Sequence, residues 1–447
     1  MFESYSGSSE AIPYSRQYSI CLRPSVIPAL GPLITGLIAS GVARYSGFKL
    51  LDSVNVYTKD GTVKSVPGSK EAVFNAKDIS LIEKRRLMRF LTFAASEFED
   101  KPEIQGKEGH PVKDFLKSTY QLSDDTITVI VYSLAHCVSA KDPTLPALLR
   151  LRGYVRGVGR YGPSPFLVGH YGGLGDISQG FCVYVLGRPI VSTVFRSEVS
   201  TDAGGDSYIE VKLDDFPETH LWHRIPVPSP PSVTQAPTIA KVARCVTILD
   251  TPLQFQPRPA SSVFDEGGEQ ESDAPSSTGG PLDTAVLIIP PSTYTAATVF
   301  INGENSLSTP KGRWIVYIVL PLTSTQPDQT AESVLKPYLD AVLSFAQTVE
   351  GAPTTPLSTS FFFEKQLPAE VPGSQAAQDT PRYIIAPPLT YSAFPDIPDA
   401  ATYSAEATFQ QAIRSLRALK GDPVRDDEDI DFWPPMAVEE ENSDDDS

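Results

Sequence analysis

The sequence predicts a multi-domain α/β chain, with a mostly helical domain followed by a strand-rich α/β domain. Three observations lead there. Between residues 80 and 158 the apolar residues recur at helical spacing. From Gly157 onward the texture changes to short β-rich runs separated by Gly- and Pro-rich loops. Late in the chain helical periodicity returns, at Glu332–Val349 and Ala405–Leu419, which suits an α/β or α+β arrangement. With 447 residues and 41% hydrophobic content the chain has material for more than one core.

Taken in order, residues 1–23 are polar and rich in Ser and Tyr and are expected to form a loose lead-in. The mostly helical domain is placed over 24–158. Within it, Pro24–Tyr45 predicts one helix or two, punctuated by Gly and Pro. Val54–Val66 predicts a hairpin, because Asp60-Gly61 supplies the positive φ of a tight turn. A helix capped by Ser80 follows, then helical patterns at Val112–Tyr120, Ser123–Cys137 and Thr144–Arg156.

The strand-rich domain is placed over 159–420. Its candidate strands are Cys182–Leu186, Ile190–Phe195, Tyr208–Leu213, Ala240–Leu249, Thr284–Ile289, Thr298–Ile301, Trp314–Leu320, Ser360–Lys365 and Arg382–Ala386. Inserts near 226–237 and 257–280 have the composition of disorder. Residues 421–447 are expected to be an acidic, disordered tail.

The formal net charge of −17 argues against nucleic acid as the main partner. Four widely spaced cysteines without a CxxC pair look like reduced thiols of an intracellular protein. No apolar run reaches membrane-spanning length and the N-terminus lacks the order of a secretory signal, so a cytoplasmic protein is expected.

The most legible stretch is Ala72–Phe98. Ser80 is placed to cap the helix, with Glu83 three residues on to return a bond to the Ser80 N–H. At helical steps Leu87, Met88, Phe90, Leu91, Ala94, Ala95 and Phe98 form a core-facing stripe. The other side carries Arg85, Arg86 and Arg89, with Ile82 and Phe93 among them. That face is either a partner site, since Arg and aromatic residues dominate interface energy, or a solvated basic face.

Other motifs are weaker. Gly157-Val-Gly159-Arg-Tyr-Gly162 fits GxGxxG, but the run before it looks helical and Pro163-Ser-Pro165 after it cannot open a normal helix. A glycine-rich mobile loop is the better reading. His220-Leu-Trp-His223 has no further ligands nearby, so no metal site is expected. No GxSxG elbow or other catalytic constellation stands out, and no catalytic residue is assigned.

Three stretches together carry a resemblance: residues 73–98, Arg160–Phe181 (RYGPSPFLVGHYGGLGDISQGF) and Val66–Asp78 (VPGSKEAVFNAKD). They resemble the Rab escort protein and Rab GDP-dissociation inhibitor family. Ser15–Val66 and the strands ending in Ile288-Ile289-Pro290-Pro291 look like the family as well. EKRRLMRFLTF and RYGPSPF are far more specific than a lone GxGxxG.

The resemblance implies an FAD-binding-like α/β domain with mixed sheets plus an all-helical domain. The family opens with a strand, a glycine turn and a helix, and this sequence begins beyond that segment, so the FAD-like domain is expected to be incomplete. It also implies a non-catalytic accessory protein without a cofactor. Its partners are Rab small GTPases in the GDP form, their geranylgeranyl lipid and, in the escort branch, the Rab geranylgeranyl transferase α/β heterodimer, with transient membrane delivery. The helical domain of the family holds the lipid between helices. This makes the apolar stripes of Leu81–Phe98 and Ile127–Ala135 candidates to line that pocket, with core packing as their other role.

In the escort branch a phenylalanine eleven residues ahead of an arginine docks on the transferase α subunit; the match here is Phe74 and Arg85. The mobile effector loop matches at Arg160, Tyr161, Gly162, Ser164, Pro165 and Phe166. The Rab-binding platform matches at Gln179, with Asp176 in place of the usual glutamate and Val183 where an arginine is usual. Phe74 favours an escort protein over a GDP-dissociation inhibitor without transferase docking. A flavin-dependent oxidoreductase is the alternative from another class, and the context of Gly157–Gly162 speaks against it.

Overall fold

The computed structural model describes residues 2–8, 11–58, 60–66, 79–186, 195–201, 207–213, 239, 241–255, 282–292, 294–324, 328–346, 354–366, 391–420 and 432–433. Phe74, the His220/His223 pair, both inserts and the candidate strand Arg382–Ala386 lie outside them.

The described chain is mixed α/β. Strand β1 (Phe2–Gly7) comes first, then β2 (Ile27–Pro28), α1 (Pro32–Ala39), a 3₁₀ turn at Val42–Arg44, β3 (Phe48–Leu50), β4 (Ser53–Tyr57) and β5 (Val63–Ser65). A helical run follows: α2 (Leu81–Ala94), α3 (Val112–Tyr120), α4 (Asp124–Thr128) and α5 (Thr144–Gly157). Then come β6 (Phe166–Gly169), α6 (Leu174–Leu186), β7 (Phe195–Thr201), β8 (Ser207–Leu213), β9 (Lys241–Leu249), β10 (Thr284–Ile289), β11 (Ala297–Asn302) and β12 (Trp314–Leu322). The chain continues with α7 (Ala331–Leu343), β13 (Ser358–Lys365) and α8 (Ile397–Lys420).

The organising element is an eight-stranded mixed sheet in the order β1-β13-β9-β12-β11-β10-β4-β5. All its neighbours are antiparallel except β10 and β4, which run parallel with Val286 opposite Val54. Both faces of its central strands are buried. In β10, Ala285, Leu287 and Ile289 join Val334, Leu335 and Val342 of α7 in one core. Val286 and Ile288, alternating with them, join Phe90, Phe115, Ile130 and Leu148 of the helical run in another. This is why Thr284–Ile289 reads as a nearly unbroken apolar run.

Two parts of the chain lie elsewhere than the sequence suggests. The lead-in 1–23 contributes β1, which pairs with β13 at one sheet edge. The hairpin expected inside the helical domain does form, Asn55 opposite Ser65 with Gly61 at φ 79°, but it makes the opposite edge of the large sheet. Both placements depend on partners more than two hundred residues away, which local pattern does not carry.

The Cys182–Leu186 run, expected as a strand, is the last part of α6. Its Cys-Val-Tyr-Val-Leu composition has β-propensity, but the helix that starts at Leu174 continues through it; β-propensity yields readily to context. The Ser123–Cys137 pattern is helical in two parts. After α4 the turn widens to a π-helix over Val129–Leu134, where Ala135 N–H donates to Ile130 O at 2.8 Å. Of the apolar stripes offered as lipid-pocket lining, Phe90, Phe98, Ile127, Ile130 and Val131 are buried together in one core, while Leu81 is exposed.

Candidate docking surfaces

The first surface is the start of α2. Ser80 caps it as expected, its Oγ accepting from the Glu83 N–H at 3.3 Å. Glu83 does not return the bond. Its carboxylate reaches across to the next helical segment, where Oε1 accepts from the Ser123 N–H at 2.8 Å. Ser123 is itself the cap of α4, so one carboxylate ties two helix starts together. Burial pushes the Glu83 pKa up. Hydrogen bonds from the Ser123 backbone and from the Thr126 and Ser123 hydroxyls, with the Arg86 charge, outweigh that and hold it below the ordinary value.

The arginines of α2 have separate fates. Arg86 is fixed, donating from Nη1 to Gln121 O at 2.9 Å and from Nη2 to Gln121 Oε1 at 3.2 Å. Arg89 lies over the Tyr120 ring at 5.5 Å. Arg85 is exposed and has no hydrogen-bond or ion-pair partner among the described residues. Beside it Leu81 and Ile82 are 65% and 64% exposed. Leu81 and Arg85 are four apart and share a face, so the first turn of α2 presents two aliphatic side chains and a free guanidinium to solvent. Leu81, named in the sequence only as the start of a stripe offered to the lipid pocket, belongs to this surface; its spacing from Arg85 was the available signal.

Phe93 goes the other way. Placed among the exposed arginines by helical angle, it is buried, because the chain after α2 turns back over it. Phe98 stacks on it at 5.5 Å and Lys101 covers its ring at 5.5 Å.

The second surface is the loop Gly157–Pro165. A helix, α5, precedes it and a strand, β6, follows, the reverse of a dinucleotide turn. Gly159 N–H donates to Gly162 O at 2.8 Å, which closes a tight tip. Arg160 and Tyr161 project from it, the guanidinium 5.5 Å from the ring. Ser164, Pro165 and Phe166 are buried. Pro165 O accepts from the Ala29 N–H at 2.8 Å, and the Phe166 ring meets Tyr154 at 5.6 Å and His136 at 5.8 Å. The motif is therefore part tip and part anchor.

Immediately beyond β6 lies the third surface, α6. Asp176 and Gln179 are one turn apart on it; Gln179 is exposed and Asp176 half-buried. A negative side chain in the first turn suits the helix dipole. Ile177 seats the helix in a small core with Ile27, Leu33, Leu37, Val42 and Leu167. From the end of the chain, Trp433 packs its ring 5.6 Å from Phe181 of α6, and Phe432 meets Phe409 of α8 at 5.3 Å. Trp433 is so close to α1 that a Cβ on Gly36 would stand 2.4 Å from its Cζ2. Two tail residues thus dock on the body, beside the helix that carries Asp176 and Gln179.

Among the described residues no group of three or more metal-ligating side chains converges, and no helix is long and apolar enough to cross a membrane.

Residues 1–263 match the GDP dissociation inhibitor family (GDI). Rab proteins geranylgeranyltransferase component A 1 of Rattus norvegicus is 35% identical over 175 residues, covering 39% of this chain and 26% of that protein. The Saccharomyces cerevisiae protein named Rab proteins geranylgeranyltransferase component A is 27% identical over 350 residues, covering 73% of this chain and 51% of that protein. The chain therefore spans between 26% and 51% of the length of these curated relatives. The crystal structure of a Rab GDI from Plasmodium falciparum has the same fold, with a TM-score of 0.56 at 17% identity over 93% of this chain and 87% of that one. The matched family covers more than half of the sequence, and the chain belongs to the GDP dissociation inhibitor family.

Proposed function

We propose that the chain acts as a Rab escort protein. In this reading it binds GDP-bound, unprenylated Rab GTPases, presents them to Rab geranylgeranyl transferase and carries the prenylated product to membranes. It is a non-catalytic, substrate-presenting subunit that works in the cytoplasm with transient membrane association. The relatives named as component A of the transferase support the assignment. The observation that carries it is the first turn of α2, where Leu81, Ile82 and Arg85 face solvent with nothing in the described chain covering them.

Such a corner has the chemistry of an interface anchor, aliphatic area beside a partner-free guanidinium. Phe74, just ahead of the Ser80 cap, is assigned with Arg85 to the transferase contact. Truncating an anchor of that kind costs ~2–4 kcal/mol of binding. Asp176 and Gln179 on α6 are assigned to the Rab platform, and Arg160 and Tyr161 to the recognising tip of the effector loop, which Gly162, Ser164, Pro165 and Phe166 hold in place. The need for an escort follows from solubility. Burial is worth about 0.8 kcal/mol per CH₂, so a free geranylgeranyl chain partitions into any apolar phase it meets. No step in this scheme calls for a cofactor.

The test is a pull-down of the transferase heterodimer and of Rab·GDP by wild type, Phe74→Ala and Arg85→Ala. Wild type should capture both, and each variant should lose the transferase while keeping Rab·GDP. A wild-type protein that holds Rab·GDP but never captures the transferase would instead be a GDP-dissociation inhibitor without transferase docking.

A further inference from the structure

A second cationic feature lies on the helical side of the large sheet. Arg244 of β9 is buried, its side chain 6% exposed, and its Nε donates to Glu364 Oε2 of β13 at 2.6 Å. Glu364, 3% exposed, takes Arg23 on its other oxygen. Two guanidinium groups thus share one carboxylate, so these three side chains sum to +1. Hydrogen bonding is incomplete as well. Arg244 Nη1 and Arg23 Nε are buried donors without an acceptor. A buried donor without an acceptor is costly, and more so when charged, so an arrangement that leaves two on the partners of one carboxylate calls for an acceptor.

The two arginines line a cleft whose other walls include Val319, Tyr391, Phe394 and Ile397. Arg23, 35% exposed, marks its solvent side. Helix α8 starts at Ile397 and lines the cleft with its first turn, adding the positive end of its dipole. Two acidic side chains flank that turn and both are engaged: Asp396 by Arg150 at 3.4 Å, and Asp399, whose Oδ1 accepts from the Leu33 N–H at 3.1 Å.

We propose that this cleft binds a small monocarboxylate with a short apolar tail. A single negative charge balances the +1 of the Arg23–Glu364–Arg244 trio, whereas a phosphate dianion overshoots it. A planar carboxylate suits guanidinium N–H donors, here Arg244 Nη1 and Arg23 Nε. Val319, Phe394, Ile397 and Ala400 offer apolar contact to a short hydrocarbon tail, with Gln366 and Ser392 as the uncharged polar part of the wall. This site is independent of the Rab and transferase reading and stands or falls without it.

The probe is butyrate, titrated into the full chain by calorimetry in chloride buffer, with butyramide as the neutral isostere and inorganic phosphate as the competing oxyanion. Wild type should bind one butyrate with a dissociation constant on the order of 1 mM, as expected for so small a ligand. Butyramide should bind at least tenfold more weakly. Arg244→Met leaves Glu364 without its buried partner and risks misfolding, so the decisive variant is the double change Arg244→Met with Glu364→Met. It replaces the pair with apolar side chains, a change that proteins often tolerate. That variant should unfold in one cooperative transition yet show no saturable butyrate binding. The proposal is overturned if wild type gives no saturation with butyrate, if butyramide or phosphate binds as tightly, or if the folded double variant binds butyrate unchanged.

Discussion

The start of α2 and the loop before β6 are both carried by highly specific sequence motifs, and the structure treats them differently. At α2 the recognisable residues Leu81, Ile82 and Arg85 are outside and unattached, while the stripe behind them fills the core. In the loop Arg160 and Tyr161 are outside, with Gly159 and Pro163 beside them; Ser164, Pro165 and Phe166 are packed inward. A motif therefore mixes residues that meet a partner with residues that hold the first group in place. Substitution separates the two, because the first group affects binding without stability and the second affects stability first.

The largest effect is expected at Phe166→Ala. The ring is 3% exposed and packs on Tyr154 and His136, so its loss should cost about 3–5 kcal/mol in urea unfolding. A loss below about 1 kcal/mol would mean that the loop, like the α2 turn, is a free surface and would dissolve the contrast. Next is the pair Leu81→Ser and Ile82→Ser. Stability should stay within about 0.5 kcal/mol of wild type, while transferase capture weakens by ~2–4 kcal/mol. Equal weakening of Rab·GDP binding would show that the corner serves the wrong partner.

The third is a pH effect beneath the loop. His136 is buried against Phe166 with neither ring nitrogen bonded; burial, and then the Arg150 charge, pull its pKa down to about 3. The unfolded chain protonates this histidine near pH 6.5 and the folded chain does not, so its contribution is complete above that pH and is lost as pH falls toward 3. Between pH 7 and 5 the loss from this one group is about 2 kcal/mol. Asp142 and Asp396, whose pKa values burial raises, act in the opposite sense, so the measurement is the difference between wild type and His136→Asn. Asn also tolerates the positive φ of 46° at this position. Parallel pH curves for the two proteins would rule the histidine out. The smallest effect is Ser80→Ala, about 1 kcal/mol from the lost cap, read as earlier fraying of the first turn of α2 by hydrogen exchange.

What the sequence revealed follows the range of the forces involved. The Ser80 cap, the turn at Asp60-Gly61 and the helix Val112–Tyr120 are decided by residues a few positions apart, and all were legible. The destination of Glu83 was not, because Ser123 lies forty residues away and competes with the Ser80 N–H. Nor was the strand character of Phe2–Gly7, an edge strand too exposed to show an apolar alternation. Of the candidate sites, the arginine face was visible as a whole. Sorting free Arg85 from Arg86 and Arg89 required knowing that Gln121 and Tyr120 stand opposite two of them. The paired arginines of the buried cleft were invisible for the same reason: Arg23, Arg244 and Glu364 meet only once β9 and β13 are side by side.

The central sheet has a further consequence. In β9, Ala243, Cys245 and Leu249 belong to the core under α7, and Val246 and Ile248 to the core under the helical run. Two messages are interleaved in one strand, read by the odd and the even residues. No cut in the sequence divides them, so the two cores share a boundary one backbone thick. A single residue inserted within β9 would turn the residues beyond it over, presenting to each core what was written for the other.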